Sequence, residues 1–218
     1  MKTFAVVLAG CGAFDGAEIH EAVLTMLAID KAGATYQCFA PDTPQHHVIN
    51  HITGKEMPGQ RNVLTESARI ARGNIKPLDV FSADDFDALI IPGGFGAAKN
   101  LCNWAFRGND CTVNPDVETA VRAMFNAGKP IGAMCIAPVI LAKIFSGISL
   151  TTGNDPASES FTEAMGNKYV KTGHGIVVID RERKFFTTPC YMLEASISQI
   201  AEGTGNIVHE MMLMLENR

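Results

Sequence analysis

The sequence reads as one α/β domain, residues 1–218, built on a doubly wound, mostly parallel sheet with helices on both faces and a small hairpin. Three observations predict it. The chain opens β–α–β, the unit of a parallel sheet. Short apolar, β-branched runs then alternate with stretches of helical spacing. Three strand ends carry suggestive residues, at Gly10–Gly16, Pro92–Gly96 and Cys135, and sheets of this kind bind ligands at the carboxyl ends of their strands.

In order, "FAVVLAG" (4–10) is a buried strand ended by glycines. "GAEIHEAVLTMLAIDKAGA" (16–34) has helical spacing, early acidic residues, and Gly33 to stop it. "TYQCFAP" (35–41) is a second strand closed by Pro41. Residues 42–62 are irregular and polar, "NVLTESARIA" (62–71) is helical, and "IKPLDV" is a connector. "FDALIIPGG" (86–94) is a buried strand. In "NPDVETAVRAMFNAGK" (114–129), Asn114 caps a helix, Pro115 suits its first turn and Gly128 ends it. "PIGAM" is a strand, "IAPVILAKIF" a helix, "SLTT" a short strand and "ASESFTEAMG" a short helix. "GIVVIDRERKFFTTP" is a hairpin, and the last helical region runs to Asn217, weakened at Gly203 and Gly205.

Composition excludes several classes. Net charge is -5, from 18 basic and 23 acidic residues without a basic cluster, so no nucleic-acid partner is expected. No apolar run is long enough for a membrane partner to be expected either. "VVLAGC" mimics a lipoprotein cleavage site at Cys11, but the apolar stretch before it is too short for a signal core, and a buried strand explains the same residues. Six cysteines without CxxC spacing read as reduced thiols and a cytoplasmic location. His46, His47 and His51 lie close together, with His20 elsewhere, yet neighbouring loop histidines rarely converge on one ion, so neither metal nor organic cofactor is expected. Trp104 and Phe106 are expected to pack under the loop after "GGFGAAKN" or to join a dimer contact.

"GCGAFDG" is a misspaced dinucleotide fingerprint, with glycines at 10, 12 and 16, and reads better as a tight turn. Cys135 is the stronger candidate. Between a strand ending at Met134 and a helix starting at Ile136 it occupies a sharp turn, where unpaired helix N–H groups favour thiolate. The Ile136 amide and the bare backbone of Gly93 and Gly94 offer oxyanion donors. Glu18 and Glu21, early in the first helix, are the proton partners at hand. The residues alone equally allow a buried, inert thiol.

"GCGAFDGAEIHEAVLT", "CFAPD", "VINHITGKEM", "RNVLTESARIARG", "DALIIPGGFGAAKNL", "GKPIGAMCIAP" and "TTPCYML" occur in order along the chain. With them the chain resembles the class I glutamine amidotransferase-like superfamily, and within it the ElbB branch of isoprenoid biosynthesis proteins with an amidotransferase-like domain. The resemblance implies a flavodoxin-like sandwich with Cys135 on a nucleophile elbow, Glu21 (less readily Glu18) as its acid/base, and oxyanion-hole amides from Gly94 and Ile136. Gly93, Gly12 and Glu18 are further substrate-site candidates. It implies a metal-independent enzyme of glyoxalase (lyase) type that turns glyoxal, or a similar small reactive aldehyde, into glycolate, and a homodimer. Glutamine hydrolysis is not implied: Gly175 follows His174 and Glu210 follows His209 directly, so H-x-E is missing, and Ile136 stands where a histidine would follow the cysteine. The other expectation is a non-catalytic redox-sensing or binding module of the same fold, tied to isoprenoid metabolism by family name alone.

Overall fold

The computed structural model describes residues 1–216. In chain order the elements are β1 (Thr3–Val7), α1 (Ile19–Lys31), β2 (Thr35–Ala40), β3 (Ile49–Asn50), β4 (Lys55–Glu56), α2 (Val63–Ile70), β5 (Ile75–Pro77) and β6 (Ala88–Ile91). A π-helical turn, Ala97–Leu101, leads to α3 (Trp104–Arg107) and α4 (Pro115–Asn126). Then come β7 (Ile131–Met134), α5 (Pro138–Ile144), β8 (Ser149–Leu150), α6 (Pro156–Ala164), β9 (Lys168–Tyr169), β10 (Val178–Asp180), β11 (Phe185–Thr188) and α7 (Ile197–Glu216).

Seven strands form one sheet in the order β10-β11-β7-β6-β1-β2-β5, parallel except for β10. Helices flank both faces, and α1 and α7 pack on each other. The doubly wound sandwich and the hairpin (β10–β11) are therefore as expected. The central strands are buried on both faces, which is why they read as continuous apolar runs: Ile90 and Ile131 are fully buried. Truncating either to alanine should cost about 2–5 kcal/mol. Helix α7 packs closely on β7 at Gly132, where a Cβ would lie 2.8 Å from Met211 Sδ and force that side chain to shift.

Local signals set the helix ends. Asn62, Asn114 and Asp155 cap α2, α4 and α6 through side-chain acceptors, and Glu18 caps α1 by accepting from the Glu21 N–H. Other readings need correction. "IKPLDV" supplies edge strand β5, where a proline is tolerated because one side of the strand needs no ladder donor. The irregular stretch holds the small β3–β4 pair. Helix α5 starts at Pro138, not Ile136. Helix α7 runs unbroken through Gly203 and Gly205, and Gly203 sits against Cys190, where a Cβ would lie 3.3 Å from Sγ. The expected extension to Asn217 lies outside the described residues. Trp104 packs edge-on against Phe161, while Phe106 packs on His46 and His47. Among the described residues no helix is long and apolar enough to cross a membrane.

Candidate active site

The site lies where β1, β6, β7 and β11 end together. Strand β7 stops at Met134, and Cys135 takes a left-handed φ of +58°. A side chain there costs of order 1–3 kcal/mol, which the surroundings must hold in place. The Cys135 N–H donates to the Thr188 carbonyl of neighbouring β11 at 3.0 Å, and the Ala137 N–H turns back to Met134 at 3.0 Å. The thiol thus stands on an elbow, buried and 6% exposed.

Two glycines make room for it. A Cβ on Gly93 would run into the Cys135 Cβ and lie 2.7 Å from Glu21 Oε2 and 2.8 Å from Cys135 Sγ. Gly94 has φ +95°, and a Cβ on it would strike the Glu18 amide and the Gly16 carbonyl. The loops are stitched through the backbone: the Glu18 N–H donates to Gly93 O at 2.9 Å, and the Gly96 N–H to Gly16 O at 2.9 Å. Glycines are required here because three chain segments approach at backbone distance.

Glu21 reaches this point from the first turn of α1 and is completely buried. Its oxygens accept two backbone N–H bonds, from Gly93 at 2.9 Å and Tyr191 at 3.1 Å, and it also hydrogen-bonds Cys135. No cation pairs with it among the described residues. Burial therefore pushes its carboxyl up to about 8, with the Glu18 charge adding to the rise and the Tyr191 and Gly93 amides opposing it. Burial, and then the Glu21 charge, pushes the Cys135 thiol well up, against the hydrogen bonds of the Gly94 and Ile136 amides. This corrects the expectation of a thiolate favoured by the helix start. The helix begins two residues later, and the cost of burying charge dominates. Two anions side by side are excluded, so the pair titrates as a unit. Glu21, pushed up less far than the thiol, gives up its proton first, which leaves the Cys135 thiol beside a carboxylate.

Above the pair opens a cavity of 720 Å³. Cys135, Gly94, Ile136 and Glu18 line it. Gly93 lies beneath the sulfur. Gly12 stands apart, in a turn pressed against His51 and Asp15, and is not among the lining residues. Two participants were not singled out for this site from sequence: Tyr191, whose N–H holds Glu21, and His20, whose Nδ1 is 2.8 Å from the Tyr191 hydroxyl. The signal for Tyr191 was its place just past the end of β11, the neighbour of the cysteine strand. His46, His47 and His51 pack on Phe106 and Phe14, and no group of three His, Cys, Asp or Glu converges among the described residues.

With this geometry in place, the comparisons with known proteins fit the frame. The model of the DJ-1/PfpI family matches residues 11–188. A human protein named glutamine amidotransferase-like class 1 domain-containing protein 3, mitochondrial, is 44% identical, over 95% of this chain and 81% of its own. A zebrafish protein named ES1 protein, mitochondrial, is 33% identical, over 96% and 85%. A crystal structure of an isoprenoid biosynthesis protein with an amidotransferase-like domain from Ehrlichia chaffeensis superposes with TM-score 0.90 at 35% identity, covering 97% of this chain and 99% of that one. Glyoxalase III of Candida albicans shares the fold alone, with TM-score 0.63 at 12% identity over 97% and 96%. The curated relatives overturn the cytoplasmic expectation, since both are named mitochondrial. Reduced thiols are compatible with either compartment, which is why cysteine usage misdirected that reading.

Proposed function

The chain belongs to the DJ-1/PfpI family, and from that premise we propose that it is a cofactor-independent, glyoxalase-type enzyme acting through Cys135 and Glu21. The observation that carries this is the buried Cys135–Glu21 pair, without a cation, with Cys135 lining an open cavity and Glu21 behind it. Shifted groups of this kind, facing a cleft, are suited to proton transfer.

The Glu21 carboxylate takes the Cys135 thiol proton as the sulfur adds to one aldehyde carbon of glyoxal, and then gives that proton to the new alkoxide. A hemithioacetal results. The Glu21 carboxylate then takes the C–H proton of that carbon, giving an enediolate; the hydroxyl proton passes from the first oxygen to the second, and Glu21 returns its proton to the second carbon. The product is a thioester of glycolate. Water adds, the C–S bond breaks, and glycolic acid leaves with Cys135 and Glu21 restored to one shared proton after the acid ionises. The sum is glyoxal plus water to glycolate plus a proton. The Gly94 and Ile136 amides, which already bond the sulfur, are at hand for oxyanions formed next to it. Glycolate production from glyoxal by the wild-type chain, lost in Cys135→Ala, is the test; equal rates would end the proposal.

A redox-sensing module is the second reading. The same amide donors beside the thiol would hold the oxygens of a sulfenic or sulfinic acid. Peroxide-dependent mass gain at Cys135, with no turnover of several aldehydes, would favour it. Placement in the ElbB branch draws support from the Ehrlichia chaffeensis protein at 35% identity. A homodimer draws support from α1, which leaves Ile19, Val23 and Leu27 each 42–43% exposed in one stripe of i, i+4, i+8 spacing. Sedimentation of a Val23→Lys variant checks that surface.

A further inference from the structure

Glyoxal occupies very little of the space above Cys135. At roughly 30 Å³ for a water-sized group, a two-carbon dialdehyde fills on the order of a tenth to a fifth of such a cavity. The remaining volume, of the 720 Å³ present, falls in the range that holds a drug-sized ligand. Its walls are apolar and aromatic: Phe14, Phe95, Trp104, Ile136 and Met192, with four alanines between them. Phe95 and Phe14 are 52% and 39% exposed, large rings held at the surface where burial would favour them.

The charge of the lining is one-sided. Its carboxylates are Glu18 and Asp155, and no lysine or arginine lines it among the described residues. Lys99 touches two lining residues, but its ammonium donates to the Phe14 carbonyl at 2.9 Å and lies 5.3 Å from the Phe95 ring centre. An anionic substrate would therefore meet carboxylates without a compensating cation. One polar pair, His20 and Tyr191, stands among these walls and offers hydrogen bonds to a carbonyl oxygen.

Resting on the glyoxalase-type reading, we propose that the substrates this site is shaped for are neutral or cationic 2-oxoaldehydes carrying an apolar group well beyond two carbons. The aldehyde carbon meets Cys135, and the apolar group lies among Phe14, Phe95, Trp104 and Met192. The reaction has the same balance as for glyoxal, with the substituted 2-oxoaldehyde and water giving the matching 2-hydroxy acid.

Trp104 is the chain's one tryptophan and lines the cavity, so its fluorescence reports occupancy directly. In Cys135→Ala, which cannot react, cyclohexyl methyl ketone should give a saturable Trp104 signal. The anionic 4-acetylcyclohexanecarboxylate should bind at least tenfold more weakly. Equal binding of the two, or no binding of the ketone, overturns the proposal whatever the turnover results. In the wild-type chain, phenylglyoxal should exceed glyoxal at least tenfold in kcat/KM, after normalising to the rates of a free thiol, and 4-carboxyphenylglyoxal should lose that advantage. Phe95→Ala should shrink the phenylglyoxal-to-glyoxal ratio. Glyoxal turned over as well as phenylglyoxal overturns the substrate class but leaves the glyoxalase reading standing. Ketone binding with no turnover of any aldehyde instead ends the glyoxalase reading, and with it the substrate claim, while leaving a site for neutral apolar carbonyl compounds.

Discussion

Cys11 and Cys135 each lie close to a buried glutamate, and the two glutamates are treated differently. Glu66, beside Cys11, is clamped by Arg61 at 3.2 Å and Arg69 at 2.9 Å. Glu21, beside Cys135, has backbone amides and a thiol and no cation. In the first region Asp15 also accepts from the Ile49 N–H at 2.7 Å, and His51 from the Phe14 N–H at 3.2 Å. It is a braced loop. The second leaves a carboxyl without a counter-charge, pushed up to about 8, against a sulfur that lines an open cavity. Burial alone does not mark chemistry, since both glutamates are buried. Burial without a counter-charge, next to a nucleophile, does.

The comparison breaks most readily at the cysteines. Cys135→Ala should lower glyoxal kcat/KM by at least about 10³-fold with the fold retained by circular dichroism, and Cys11→Ala should stay within about threefold. Similar losses in both would erase the distinction. The glutamates come next. Glu21→Gln should cost about 10²–10⁴-fold in kcat, the usual span for removing a general acid/base. Glu66→Gln should leave kcat nearly unchanged and cost about 1–2 kcal/mol in urea unfolding, a modest value because its arginines are largely in water. Gly93→Ala sharpens the geometry: its Cβ would press on the Cys135 side chain and Glu21 Oε2 together, and displacement of about 1 Å should cost on the order of 10²-fold in kcat.

Much of this was legible from the chain because it is local. The elbow cysteine, the glycines at 93 and 94, and the caps at Asn62 and Asn114 are each encoded within a few residues of the place they act. Glu21 needed only the first strand-to-helix turn and the chain-long resemblance. What escaped is long-range. The Tyr191 amide reaches Glu21 across 170 positions, and His20 joins the cavity through that tyrosine. Strand β5 escaped because its proline argues against a strand except at an edge, and the edge is known only once the sheet order is known. The state of the thiol was misread for the same reason. A helix start is visible in sequence, but the burial that outweighs it comes from four strand ends meeting.

A pH dependence of stability isolates the cause of all the others. In the unfolded chain Glu21 ionises near its ordinary value of 4.5, and in the folded one near 8. Between those values the native state holds a proton that the unfolded state has lost. Stability must therefore fall as pH rises through that window, by up to about 1.4 kcal/mol per unit from this group, and level off above it. Other groups titrate in the same range, so the quantity to read is the difference between variants. Urea midpoints at pH 5, 6.5 and 8 should fall more steeply for wild type than for Glu21→Gln. The amide is less stable at pH 5, because it sets an N–H₂ against one of two backbone donors, but it carries no proton to lose. Parallel slopes for wild type and Glu21→Gln would mean that Glu21 is already ionised in the folded chain at neutral pH, and the contrast between the two glutamates would collapse to one of contacts alone.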